Sequence, residues 1–262
     1  MQRYGPRFLS AVGVVVGLVG CWTTPAAAQV AAAEEVDDRV AEEPEYPTIY
    51  IERPLTLPAS MTQASLAFRY WWVDEEENVA TTRVTAIFGL TDWWQASATT
   101  RWWLAPDREW GEGVTVASRV QALDTARVDV APDLEVSMLF DGDRDTEAVP
   151  AVSVAALARV RILRRSALYV GDDVATFGLG DDRSASLDLN AAFVSQFSDH
   201  LAISVGTQLV HLRLFGDIRE SGGPYLPGVS LIASPASWID CWVGWQYGSS
   251  RDGLVAGVAG RL

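Results

Sequence analysis

From Met61 to the C-terminus, apolar and polar residues alternate in segments separated by turn-forming residues. In Leu66-Ala67-Phe68-Arg69-Tyr70-Trp71-Trp72 one face carries Leu66, Phe68, Tyr70 and Trp72, and the other Ala67 and Arg69. Thr82 to Phe88 sets Val84, Ala86 and Phe88 against Arg83 and Thr85. Gln95 to Leu104 sets Ala96, Ala98, Trp102 and Leu104 against Gln95, Ser97, Thr99 and Arg101. Val128 to Phe140 is the cleanest case, with Val130, Leu134, Val136 and Met138 opposite Asp129, Asp133, Glu135 and Ser137. Successive strand side chains point to opposite faces, so each segment predicts a β-strand with one apolar and one polar wall.

Segment length and connection length separate a membrane barrel from a soluble sandwich. Most segments run about 9 to 13 residues, enough for a tilted strand to cross a bilayer, whereas soluble strands are usually about half that. Compact turns are expected at Gly89–Asp92, Asp124–Arg127, Arg164–Ser166, Phe197–His200 and Ser234–Ser237. Longer polar loops are expected at Asp74–Asn78, Ala105–Gly113, Asp141–Pro150, Gly180–Arg183, Gly216–Pro227 and Ser249–Gly253. Short and long connections take turns, as periplasmic turns and outer loops do in bacterial barrels. The pattern predicts an all-β fold: a transmembrane, antiparallel, up-and-down β-barrel of about twelve strands, an even number that puts both chain ends on the periplasmic side. Irregularities are expected at Gly171-Asp172-Asp173 and around Val210–Leu214, as bulges, and at Pro132 and Pro150, where proline removes a ladder donor.

The N-terminal stretch has a different texture. Arg3 and Arg7, the apolar run Phe8–Gly20 and Ala26-Ala27-Ala28 before Gln29 read as a secretory signal over residues 1–28, too short for a spanning helix. Leu18-Val19-Gly20-Cys21 offers a competing lipoprotein processing site, with Cys21 as the acylated residue. Residues 29–58 combine many Glu and Asp with Pro44, Pro47, Pro54 and Pro58, and are expected to form a solvated, acidic periplasmic leader. The barrel domain is expected over 59–262.

Composition narrows the function. Every one of the 20 basic residues is Arg, and the formal net charge is −14. The signal carries two Arg and no acid, so the mature chain is more acidic still. An acidic exported chain argues against nucleic acid as a partner, which needs clustered positive charge. The expected partners are outer-membrane lipid and lipopolysaccharide, the barrel-insertion machinery and a small solute. Cleavage after Ala28 leaves Cys241 as the one cysteine, which excludes an intrachain disulfide.

The turn Phe88-Gly89-Leu90-Thr91-Asp92-Trp93-Trp94 resembles one in the outer-membrane barrel families that include the "MetA-pathway of phenol degradation" group of transporters. Gln196-Phe197-Ser198-Asp199-His200-Leu201 looks like a second turn of that style. In such a turn Gly tolerates positive φ, while Thr and Asp side chains bond nearby backbone. The resemblance implies a pore or transporter and no catalytic residue. Such barrels commonly finish on an aromatic residue, whereas this chain finishes on Leu262.

Candidate chemistry is confined to charge. No nucleophile elbow, P-loop or zinc spacing occurs, and only His200 and His211 are available as bases, so neither an enzyme nor a cofactor or metal is expected. Asp141–Glu147 has an Asp-x-Asp-x-Asp run but lacks the calcium loop's Gly and Glu, and reads as a solvated loop. Trp71, Trp72, Trp93, Trp94, Trp102, Trp103, Trp110, Trp238, Trp242 and Trp245 are expected to form interfacial girdles. On the polar faces, Arg69, Arg83, Arg101 and Arg119 occur once on each of the first four strands, all assigned to the outer half. They are followed by Asp129, Asp133 and Glu135 on the fifth strand, and Arg159 and Arg161 on the sixth. Facing rows of opposite sign would orient polar or anionic solutes. The pattern therefore points to a passive channel. Its rivals are a plugged structural barrel or assembly partner, with the same charges paired across strands, and a soluble β-sandwich lipoprotein anchored through Cys21. Palmitate incorporation that is lost in Cys21→Ser would identify the lipidated form; a mature N-terminus at Gln29 would identify cleavage instead.

Overall fold

The computed structural model describes residues 46–73, 78–104, 111–140, 148–171, 175–179, 184–215, 227–247 and 251–262. Twelve strands form a closed antiparallel barrel. They are β1 (Thr62–Val73), β2 (Val79–Thr91), β3 (Trp94–Trp103), β4 (Gly111–Val120), β5 (Val128–Phe140) and β6 (Ala148–Leu163). β7 has two pieces, Ser166–Gly171 and Ala175–Gly178. Then follow β8 (Ser184–Ser198), β9 (Leu201–Phe215), β10 (Gly228–Ala236), β11 (Ile239–Gln246) and β12 (Arg251–Arg261). Each strand pairs with its sequence neighbours. The ring closes where β1 pairs with β12, from Gln63↔Arg261 to Val73↔Arg251.

Burial is inverted relative to a soluble protein. Large apolar residues such as Leu66, Val116, Val136, Phe193, Leu231 and Val243 are exposed, while most buried wall positions are small or polar, among them Ala131, Asp129, Ala155, Arg159 and Gln196. A contiguous apolar exterior of this extent belongs in hydrocarbon rather than in water. The alternation read from the sequence is reproduced with the polar face inward. Hydroxyls on that face pair across strands, as in Thr85–Thr99 (3.0 Å), Thr115–Ser137 (2.9 Å) and Ser153–Thr176 (3.0 Å).

The irregularities fall where the pattern slipped. Between Gly171 and Ala175 β7 advances four residues, while β6 advances three, from Leu157 to Val154, and β8 three, from Asn190 to Leu187. The register therefore slips by one residue between Gly171, which has φ +116°, and Ala175, and the inward face passes from odd to even positions; Asp172 and Asp173 lie outside the described residues. On β9 the register skips Leu209 between Gln208 and Val210, which returns Leu212 and Leu214 to the exposed side. Pro132 lies opposite the irregularity between the pairs Arg119↔Asp133 and Leu123↔Val130, where a missing donor interrupts no regular ladder. Two turns come later than expected, at Asp92–Trp93 and Ser237–Trp238, because the preceding strands run on to Thr91 and Ala236. Most of the long loops, Asp141–Glu147 among them, lie outside the described residues.

One stretch departs from the solvated leader expected over 29–58. Residues 46–58 pack against the inner wall, with Ile51, Arg53, Thr56 and Leu57 buried. Apolar Ile51, Leu55 and Leu57 are interspersed with residues that bond the wall, so the acidic residues upstream and the prolines within it hide a short amphipathic segment. Residues 29–45 lie outside the described residues.

Val136→Arg, mid-strand on the outer face, should destabilise the lipid-folded barrel by about 2–4 kcal/mol. Denaturant titration in vesicles measures it; an unshifted midpoint would mean that this face does not meet hydrocarbon.

Candidate functional site in the barrel lumen

The inward charges sit at two levels. Near the loop end, Arg83 stands directly opposite Arg101 across β2 and β3, and Arg69 on the neighbouring β1 pairs with Thr81 of β2. Arg83 is exposed. The Arg69 guanidinium lies 5.4 Å from the centre of the Trp71 ring, which itself rests on Gly253 of β12.

At the turn end the charges neutralise one another. Arg119 Nε donates to Asp133 Oδ2 at 2.9 Å. Arg159 Nε donates to Asp129 Oδ2 at 2.6 Å, and Arg161 lies 3.1 Å from the same oxygen. Asp129 and Arg159 are almost wholly buried, and each would be costly without the other. Arg119 pairs in register with Gln95, one position from the inner end of β3, so it belongs to this lower level and not to the outer half expected from its sequence position. Glu135, between Ala117 and Ser153, stands higher on the same wall.

The inner segment crosses this lower level. A single 3-10 turn, Tyr50–Glu52, lets it fold compactly. Tyr50 N–H donates to Gln196 Oε1 on β8 (3.1 Å), and Leu57 N–H to Gln95 Oε1 on β3 (2.8 Å). Arg159 on β6 donates to the Arg53 carbonyl. Arg53 reaches β11, giving Asp240 two bonds at 2.7 and 2.9 Å, and reaches Ser234 Oγ at 2.9 Å. It also folds the segment on itself by donating to the Pro47 carbonyl (2.8 Å) and the Thr48 carbonyl (3.2 Å). Strands β3, β6, β8 and β11 are spaced around the ring, so the segment spans the lumen instead of lining one side. Ile51 fills a shallow apolar well of Ala167, Val194 and Ala202. Tyr46 stacks against Arg53 and Arg261, and burial pushes the phenols of both Tyr46 and Tyr50 above their usual range, keeping them neutral.

The turn after β2 takes part in seating this segment. Gly89 has no positive φ; a Cβ there would collide with the Pro58 carbonyl, so the glycine is required for close approach. Asp92 binds the segment as well, accepting from Ala59 N–H at its Oδ1 (3.1 Å) and from the Thr56 hydroxyl at its carbonyl (3.1 Å).

Arg53, Asp240, Ser234, Arg261, Gln95 and Gln196 were not singled out from the sequence. The four strand polar residues Asp240, Arg261, Gln95 and Gln196 occupy regular inward positions and carried a readable signal in the alternation. Arg53, set among prolines, carried none. Trp71 and Trp242 depart from the girdle expectation. Both lie on the inner face, Trp242 over Gly257, because their strand positions are in phase with Arg69 and Asp240. Trp72 and Trp245 do stack on the outer face, ring centres 5.0 Å apart. His200 Nδ1 lies 2.8 Å from the Ser234 carbonyl and ties its turn to β10; His211 is set opposite Asp188 by register. No group of metal-ligating residues occurs among the described residues.

An apolar outer belt, a polar inner wall and a ladder closed on itself define a transmembrane β-barrel of the bacterial outer-membrane type. Among solved structures it is similar to the NanC porin, with TM-score 0.58 and 11% identity over 76% of this chain and 100% of that one. It is also similar to the KdgM porin in complex with disordered oligogalacturonate, with TM-score 0.53 and 11% identity over 75% and 98%. An outer membrane channel from Pseudomonas putida F1 matches with TM-score 0.52 and 12% identity over 79% and 97%. At these identities the likeness is one of fold. No family model matches the chain, and no curated protein matches it in sequence.

Gly89→Ala should lower stability by about 1–3 kcal/mol through the collision with Pro58. Thermal unfolding in detergent checks this, and an unchanged midpoint would show that the contact at Pro58 yields freely.

Proposed function

We propose that this barrel is a passive outer-membrane channel for small anionic solutes. The observation that carries the reading is the placement of Arg69, Arg83 and Arg101 on the inner faces of three adjacent strands near the loop end, with Arg83 directly opposite Arg101. Like charges facing one another cost energy in an isolated wall. In a lumen they attract anions and raise the local concentration of negatively charged solutes. The turn-end residues Arg119, Arg159 and Arg161 serve a different purpose, since Asp133 and Asp129 neutralise them. The oligogalacturonate named with the KdgM porin is an acidic chain, which agrees with this ligand chemistry without identifying the solute here.

The same reading makes the protein a carrier of solutes and not a catalyst. It takes residues 1–28 as the export signal and outer-membrane lipid, lipopolysaccharide and the insertion machinery as partners. The aromatic-Gly-Leu-Thr-Asp turn supports kinship with the phenol-degradation transporter group. The reading of a closed structural barrel is favoured by one observation, the inner segment across the turn end.

Reversal potentials in planar bilayers under a salt gradient test the channel. Arg83→Ala and Arg101→Ala should each lower the anion preference, and the charge-neutral double change Arg119→Ala with Asp133→Ala should leave it unchanged. Unaltered selectivity in the first two would remove the assigned role.

A further inference from the structure

We propose that the inner segment Tyr46–Leu57 is a releasable closure of the inner mouth, latched by Arg53 in a pocket formed by Asp240 and Ser234. The proposal rests on the channel reading and adds its regulation. Three features of the segment support it.

The wall behind the segment is complete without it. All twelve strands pair into a closed ring, and none of the ladders includes a residue of 46–58. When Arg53 leaves, Asp240 keeps Arg261 and the Ser234 hydroxyl, which donates to its Oδ1 at 2.7 Å. Asp129 likewise keeps Arg159 and Arg161. No buried carboxylate is stranded, and a stranded charge is what makes most buried ion pairs costly to break.

The attachment is discrete. Arg53 concentrates five bonds from one guanidinium: two to Asp240, one to Ser234 and two to carbonyls of its own segment, Pro47 and Thr48. Its planar fork satisfies the wall and holds the fold of the segment together. The remaining wall bonds are single, from Tyr50 to Gln196, from Leu57 to Gln95, from the Thr56 hydroxyl to the Asp92 carbonyl and from Arg159 to the Arg53 carbonyl.

The segment also has a pivot. Ser60 joins it to β1 with φ +63°, a left-handed conformation unusual for a non-glycine residue, and Ser60 N–H is fixed to the Gly89 carbonyl at 2.9 Å. The chain after this joint is bound into β1. The chain before it is held by side-chain latches and a small apolar well. Loss of Arg53 therefore frees the part between Tyr46 and Leu57 without disturbing the barrel.

Two readouts on the full-length chain test this, with heat-modifiable gel mobility as the folding control. In a background with Cys21→Ser and Cys241→Ser, Leu55→Cys is buried while the segment is seated. A water-soluble maleimide should label it roughly tenfold or more faster when Arg53→Ala is added. In planar bilayers Arg53→Ala should raise mean conductance, and a variant lacking residues 46–55 should raise it further. Arg53→Lys, which keeps the charge but loses the fork, should show a smaller change in the same direction and serves if Arg53→Ala does not fold. Labelling and conductance equal to the parent in a folded Arg53 variant would overturn the latch while leaving the channel intact. Faster labelling with no current in any variant, the shortened one included, would leave the latch standing and sink the channel reading. Current in the shortened variant alone would show that the segment closes the mouth by another attachment, and would overturn the role given to Arg53.

Discussion

A backbone N–H or C=O that enters hydrocarbon must find its partner within the chain, and the pairing of β1 with β12 makes this possible for every strand of the protein. Without that last ladder two edges would stand unpaired in lipid, each group costing several kcal/mol. Closure then dictates the rest. It fixes which face of each strand meets lipid, encloses the polar faces in a narrow space and brings side chains far apart in sequence to within bonding distance. The contact of Gln63 with Arg261, near the two ends of the ring, places Arg261 at the level of Asp240 and hence of the inner segment.

Enclosure changes what the charges mean. The same alternation put arginines on the inner faces of β1 to β4 and β6, yet their electrostatic roles differ with height. Near the turn end each guanidinium has a carboxylate on an adjacent strand, and burial makes these pairs structural. Near the loop end Arg83 stands in register with Arg101, two like charges on adjacent inner faces. Height along the barrel, and not residue type, separates the structural arginines from those assigned to solutes.

The inner segment combines the two regimes. Ile51 enters a shallow well of Ala167, Val194 and Ala202, while the segment's one guanidinium joins a buried network in which Asp240 also bonds Arg261 and Ser234. Such a network is rigid when full and still balanced when its last member departs. The small residues under it, Gly89 above all, let the segment lie against the wall at a distance that any side chain would prevent.

The alternating pattern sufficed for the class of fold, the number and direction of strands, the inward placement of Arg69, Arg83, Arg101, Asp129 and Asp133, and the slips near Gly171 and Val210. Period-two alternation is a local property and survives in a single sequence. The sequence does not say how high each residue sits, because height depends on registers that closure fixes collectively; Arg119 sits lower than its place in the chain suggests for that reason, and Trp71 and Trp242 face inward because strand phase, not nearness to a strand end, sets the face of a side chain. Nor could it show that residues 46–58 fold inward. Arg53 among prolines looks solvated until β6, β10 and β11 are bent into one ring around it, and only the tertiary structure brings Asp240, Ser234 and the Arg159 guanidinium together there.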